Sequence, residues 1–358
     1  MTSLLKRTPN GLYCEQGNFY VDPWRPVERA VLTHAHADHA RPGSGSYLAA
    51  TPGRNVLRAR LGSDANCSFL NYGDPIQLGG VQVTLYPAGH ILGSAQVAIE
   101  RKGEIVVVSG DYKREKDPTC EEFVPVRCQT LVTESTFGLP VFHWQPATLV
   151  LEQINRWWQR NREQGRGTLL LAYSLGKAQR LLAGLNTDLG PILTHGAVEK
   201  LCTAYRMSGV RLPETMRVSD CERGGDYSGS LILAPPSAVG TRWMRRLGKV
   251  STGMASGWMQ VRGTRRRRAV DRGFVLSDHA DWSGLLRTIR ESAAEEVWVT
   301  HGYSEIMCRF LEEKGYRVRS VDTEFAGESP GEESGEKVEE SLEPVDGQTE
   351  VAEQGELP

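Results

Sequence analysis

The stretch Ala30-Val31-Leu32-Thr33-His34-Ala35-His36-Ala37-Asp38-His39 decides how the rest of the chain is read. Its first four residues are an apolar run of the kind that fills a buried strand. Its last six set three imidazoles and a carboxylate at the end of that strand. Neutral imidazole and carboxylate suit zinc, manganese or iron, and the small alanine spacers let the loop curl so that its donors face one cavity. Four donors from so short a loop do not easily share one ion that must also keep a position open for substrate. Two adjacent divalent transition metals, zinc first among them, are therefore expected.

Working outward from this loop, other strand-like runs end in the same way. Val83 to Tyr86 leads to His90, Ile105 to Val108 reaches Asp111, and Val297 to Thr300 delivers His301; Gln96 to Ile99 and Thr130 to Thr133 read as further strands. Side chains just past the C-terminal ends of strands gather on the rim of a sheet, where loops converge on one site. The chain has 8 histidines, and their concentration at strand ends argues against a polar surface tract. His143 and His195 stand outside the pattern and read as ordinary polar residues.

With Asp22 in FYVDP, the series His34-x-His36-x-Asp38-His39, His90 in PAGHILGSAQ and Asp111 in VVVSGDY resembles the metallo-β-lactamase superfamily. Glu134 in TESTFG, His279 in LSDHADW and His301 in VTHGYSE resemble motifs A, B and C of its β-CASP nucleases. The segments SGDYKRE, GKAQRLL and RRRRAVDRGFVLSDHADW further resemble the bacterial ligase-associated DNA exonucleases, a likeness running from about Leu4 to Val321. The resemblance implies an α/β fold, a metallo-β-lactamase αββα sandwich interrupted by an inserted α/β β-CASP domain. The sandwich would occupy residues 1–139 and return at 272–323, with the β-CASP domain at 140–271.

The same likeness implies roles. His34, His36 and His90 would hold one metal, Asp38, His39 and His301 a second, with Asp111 bridging and Asp22 orienting a ligand imidazole from behind. Asp38, Glu134 and His279 form the implied catalytic group, in which His279 protonates the leaving oxygen while Glu134 holds its ring. The implied activity is metal-dependent DNA exonuclease in repair, with DNA as partner and an ATP-dependent DNA ligase and a helicase in the same system. His301 keeps an RNA-processing ribonuclease as the alternative, because eukaryotic DNA-cutting members of the group tend to carry Val there. A small-molecule metallo-hydrolase would have little need of an inserted domain or a basic run.

Composition adds a polyanionic partner. From Glu324 to Pro358 there are 12 acidic residues and one basic residue, a segment expected to be a disordered acidic tail (324–358). The rest carries 41 basic and 32 acidic residues, about +9. Arg265, Arg266, Arg267 and Arg268, with Lys177 and Arg180 near a predicted helix start, are the expected nucleic-acid contacts. Tyr173 and Trp258 are aromatics that either stack on bases or pack in the core. Seven cysteines without a CxxC pair, no apolar run long enough for a bilayer and no leader-like N-terminus fit a cytoplasmic protein with no membrane partner. Within the insert, Leu149 to Gln164 and Gly176 to Leu185 read as helices flanking a strand at Thr168 to Tyr173.

Overall fold

A computed structural model describes residues 4–222, 225–263 and 270–324. The run Arg265–Arg268 and the acidic segment beyond Glu324 lie outside the described residues. Two sheets pack face to face. The first runs β1 (Lys6–Thr8), β2 (Gly11–Cys14), β3 (Phe19–Val21), β4 (Arg29–Val31), β5 (Ser46–Ala50), β6 (Cys67–Leu70), in that order. The second contains β7 (Pro75–Leu78), β8 (Val81–Pro87), β9 (Ala95–Arg101), β10 (Glu104–Val108) and β11 (Thr130–Ser135). The C-terminal strands β18 (Glu296–Gly302) and β19 (Arg317–Ser320) complete it, in the order β19-β18-β11-β10-β9-β8-β7.

The period-2 alternation of the strands explains the layers. Val106 and Val108 of β10 and Val132 of β11 turn inward to join Leu12, Val31, Leu48 and Val97 between the sheets. Their neighbours Val107 and Leu131 turn outward, where helices Trp282–Ser292 and Ser304–Glu313 cover them with Leu285, Ile289, Met307 and Leu311. On the other side, helix α1 (Arg54–Leu61) places Val56 and Leu57 against Ala30, Leu32 and Ala49. The result is the expected αββα sandwich.

Between β11 and β18 the chain builds a third sheet. It comprises β12 (Gly167–Leu171), β13 (Ile192–Thr194), β14 (Met216–Arg217), β15 (Leu231–Ala234), β16 (Val250–Ala255) and β17 (Arg272–Phe274), ordered β14-β13-β15-β12-β16-β17 and parallel throughout. Parallel sheets are covered on both faces, so their strands are apolar along their whole length, and every residue of β12 is buried. Helices α2 (Ala147–Glu163), α3 (Lys177–Gly184) and α4 (Gly196–Met207) supply one cover. The sheet reaches past the expected return at residue 272, because β17 pairs with β16 through Phe274. Contacts between α4 and the first sheet's covering layer join the units: Leu92 N–H donates to Tyr205 Oη at 3.2 Å, and Asn55 Nδ2 to Ser208 Oγ at 3.0 Å.

The direction of the strands positions the site. In the second sheet β10, β11 and β18 are parallel, and β8 points the same way because it is antiparallel to β9, itself antiparallel to β10. His90 and Asp111, just past the ends of β8 and β10, and Glu134 and His301, at the ends of β11 and β18, therefore gather at the same edge. Trp158 is fully buried beneath the third sheet and donates from Nε1 to Gly229 O at 2.9 Å. Trp158→Ala is expected to lower stability by about 3–5 kcal/mol, measured as a shift in the urea midpoint; a loss under about 1 kcal/mol would contradict this packing.

Candidate metal centre and its catalytic pair

The geometry begins one residue before the histidine loop. Thr33 N–H donates to Asp22 Oδ1 at 2.8 Å and its hydroxyl to Oδ2 at 2.5 Å. With its hydrogen committed there, Thr33 Oγ1 accepts from His34 Nδ1 at 3.0 Å. Asp22 also meets an imidazole directly, His39, whose Nδ1 lies 2.8 Å from Oδ2. His36 Nε2 reaches Leu175 O at 3.3 Å, and His90 Nδ1 donates to Asp278 O at 2.8 Å. In each ring one nitrogen is spent on a fixed acceptor. The other must then present a lone pair inward, which is how outer hydrogen bonds fix the tautomer of a metal ligand.

Those inner nitrogens converge. His36 Nδ1 lies 3.0 Å from His34 Nε2 and 3.1 Å from His90 Nε2. Three lone pairs at that spacing repel unless a cation sits among them. Burial, foremost, holds the pKa values of His34 and His90 well below the ordinary imidazole value, so both stay neutral and competent to ligate. The donor atoms of His34, His36, His90 and Asp111 fall within 4.8 Å of one another, as do those of His39, Asp111 and His301. The donor set fits two divalent ions.

Asp111 belongs to both groups. Its Oδ1 lies 3.0 Å from His301 Nε2, and its Oδ2 3.5 Å from His39 Nε2 and 3.6 Å from His34 Nε2. Burial alone would raise the carboxyl pKa, but His39 and then His301 overcome it and hold the group well below the usual carboxylate range. Burial likewise opposes a proton on His39, yet Asp111, Asp38 and Asp22 hold that imidazole well above its ordinary value. The spot demands positive charge, which a metal ion would supply in place of the proton. Asp38 stands beside this group, with Oδ2 3.7 Å from His39 Nε2, and lines the same cavity as His39 and His301.

Glu134 and His279 form a second unit, both fully buried. His279 Nδ1 lies 2.8 Å from Glu134 Oε2, while Glu134 Oε1 accepts Tyr112 N–H at 2.8 Å. Asp111, Glu134 and His279 also offer donor atoms within 4.8 Å of one another, and the His90 and His279 ring centroids are 4.6 Å apart. The pair thus adjoins the two candidate metal-binding groups. Thr33, the backbone carbonyls of Leu175 and Asp278, and Tyr112 N–H were invisible as site components in the sequence, since each acts through position and not through a distinctive residue type.

The expectation for Lys177 and Arg180 needs correction. They are 0% and 4% exposed, and their charges are taken up by carboxylates of the interior. Lys177 Nζ lies 3.5 Å from Asp278 Oδ2 and over the Tyr173 ring, and Arg180 Nη1 lies 3.3 Å from Asp278 Oδ1. Opposite charges within the interior drew them in. Trp258 is also buried, packed against Phe137 and Phe142. His195 caps α4 by accepting Ala197 N–H, and His143 is exposed.

Close approach between the Asp111 loop and the histidine loop requires a glycine. Gly110 has φ +56, and a Cβ there would stand 2.5 Å from Thr33 Cβ and 2.6 Å from its Oγ1. Gly110→Ala is therefore expected to push the loops apart and reduce the bound metal to one ion or fewer per chain, measured by elemental analysis. Retention of wild-type stoichiometry would refute that constraint.

No family model matches the chain. It is 31% identical over 315 residues to a protein named probable DNA ligase from Opitutus terrae, a match covering 87% of this chain and 30% of that protein. It is 28% identical over 199 residues to endoribonuclease YSH1 of Mycosarcoma maydis (44% of this chain, 22% of that one). It is 31% identical over 148 residues to cleavage and polyadenylation specificity factor 73 of Drosophila melanogaster (38% and 21%). The chain thus spans less than a third of the length of these relatives. A solved structure of a protein of unknown function from Enterococcus faecalis V583 shares the fold with a TM-score of 0.57 at 13% identity, covering 84% of this chain and 80% of that one. The architecture is that of a metallo-β-lactamase αββα sandwich with an inserted α/β domain of the β-CASP kind, and the chain is similar in sequence to relatives named as an endoribonuclease, a polyadenylation specificity factor and a probable DNA ligase.

Proposed function

We propose that this chain is a metal-dependent nuclease that hydrolyses DNA phosphodiester bonds from an end, in a cytoplasmic repair system with an ATP-dependent DNA ligase and a helicase. The observation that carries the hydrolytic reading is the convergence of imidazole lone pairs on two adjoining points that share Asp111. In the proposed assignment His34, His36 and His90 hold one ion, His39, His301 and Asp38 the other, and Asp111 lies between. When bound, two divalent cations, zinc by preference, supply Lewis-acid stabilisation of the phosphate and acidify a water enough for attack near neutral pH.

The protein does the rest. Asp22 holds His39 and, through Thr33, His34. Glu134 occupies His279 Nδ1, so only Nε2 can exchange a proton with substrate. A water oxygen forms the new P–O bond, the bond to the leaving sugar oxygen breaks, and His279 gives that oxygen its proton. The match to a protein named probable DNA ligase covers 87% of this chain and supports DNA as the substrate. A ribonuclease is the second reading, favoured by His301 and by the two relatives named for RNA processing. Among the described residues no helix is long and apolar enough to cross a membrane.

Elemental analysis of the purified chain is expected to find two transition-metal ions, and Asp111→Ala to abolish hydrolysis of end-labelled DNA. Full activity of that variant, or of exhaustively chelated protein, would overturn the reading. His279→Ala is expected to lower kcat by about 10²- to 10⁴-fold with DNA affinity retained. Matched DNA and RNA strands assayed side by side decide the substrate, and faster turnover of RNA would favour the second reading.

A further inference from the structure

Behind the metal centre lies a cluster of charges with no role so far. Lys113, Asp117, Lys177, Arg180 and Asp278 are each less than a tenth exposed. Lys113 Nζ lies 2.9 Å from Asp117 Oδ2, which also faces Arg180 Nε at 3.5 Å. Asp278 pairs with Lys177 and Arg180 as described, and Arg180 Nη2 faces the partly exposed Glu115 at 3.6 Å. Three separate stretches of chain meet here: the loop that carries Asp111, helix α3 of the third sheet, and the segment leading to His279.

Burying ions is a poor route to stability, because desolvation offsets most of the attraction; the better-attested use of such groups is to fix register. The register fixed here is that of Ser277-Asp278-His279. Arg180 Nη1 donates to Ser277 O as well as facing Asp278 Oδ1. Ser277 Oγ accepts His279 N–H at 3.1 Å, and Asp278 O accepts His90 Nδ1 at 2.8 Å. One guanidinium nitrogen, Nη1, thus reaches both residues that precede the imidazole, while Nε and Nη2 face Asp117 and Glu115. An ammonium, with one nitrogen, could not hold Ser277 O and Asp278 while also facing Asp117 and Glu115.

We propose that Arg180, seconded by Lys177 and Asp278, is a positioning residue that aims the His279 imidazole at the leaving oxygen. This rests on the assignment of His279 as the proton donor. Loss of aim hurts only when the leaving group needs a proton. DNA, whose leaving sugar oxygen is strongly basic, needs one; the p-nitrophenyl ester of thymidine 5′-phosphate does not, because its phenolate departs unprotonated.

The test compares wild type, Arg180→Lys, Arg180→Met, Asp278→Asn and the benchmark His279→Ala on both substrates, with metal content and DNA affinity measured on each. The expected result is a fall of about 10- to 100-fold in kcat on DNA for Arg180→Met and Asp278→Asn. On the ester the change stays within about 3-fold, with metal and affinity unchanged, and Arg180→Lys recovers part of the loss. Equal losses on both substrates, a weakened DNA affinity at unchanged kcat, or no loss on either would each overturn the proposal. If Arg180→Met and Asp278→Asn do not fold, Arg180→Lys, which keeps the charge, carries the same comparison. His279→Ala separates the two levels: if it lacks the substrate-dependent signature the proton-donor assignment fails, and if it shows the signature while the others do not, only the positioning role fails.

Discussion

Asp111 is an anion buried among imidazoles, and the rest of the structure answers to that placement. A carboxylate removed from water is tolerated only when surrounding groups supply positive charge or hydrogen bonds. His34 and His39 from one loop, His90 from a second and His301 from the end of β18 approach it. Bringing these segments to one carboxylate requires strands that end at a common edge. That requirement is met because β8, β10, β11 and β18 share a direction despite lying in a mixed sheet. Gly110 supplies the last fraction of approach, since any side chain there would collide with Thr33.

A consequence is that neither unit of the chain holds a complete site. The sandwich provides the inner donor atoms, but the carbonyl that fixes the His36 ring belongs to Leu175, between β12 and α3 of the third sheet. The carbonyl that fixes His90 belongs to Asp278, whose carboxylate is held by Lys177 and Arg180 from α3. The insert therefore backs the candidate metal centre as well as flanking it. Displacing it would release the outer hydrogen bond of His36 and the two basic groups that hold the Asp278 carboxylate.

Much of the secondary structure was legible because its signals are local. The helix read at Leu149 to Gln164 spans Ala147–Glu163, the strand read at Thr168 to Tyr173 spans Gly167–Leu171, and the helix read at Gly176 to Leu185 spans Lys177–Gly184. Their apolar spacing and the glycine before α3 sufficed. The stretch SLGKAQR shows where local reading stops. Lysine and arginine at a helix start suggest a phosphate site when seen alone, yet both side chains are buried. Their partners, Asp117 and Asp278, lie about 60 residues before and 98 residues after Arg180 along the chain. No window of sequence contains both ends of such an interaction.

The sequence by itself determined the donor types and their attachment to strand ends, because a histidine or aspartate following an apolar run is fixed in kind and in rough location by the chain alone. It determined the α/β character too, through hydrophobic periodicity. Only the tertiary structure decided which donors share a centre, which ring nitrogen faces inward, and whether a basic side chain meets solvent or a buried carboxylate. Those depend on distances of a few ångströms between residues far apart in sequence. Such distances are set when sheets stack and loops pack, and that packing is a property of the whole chain.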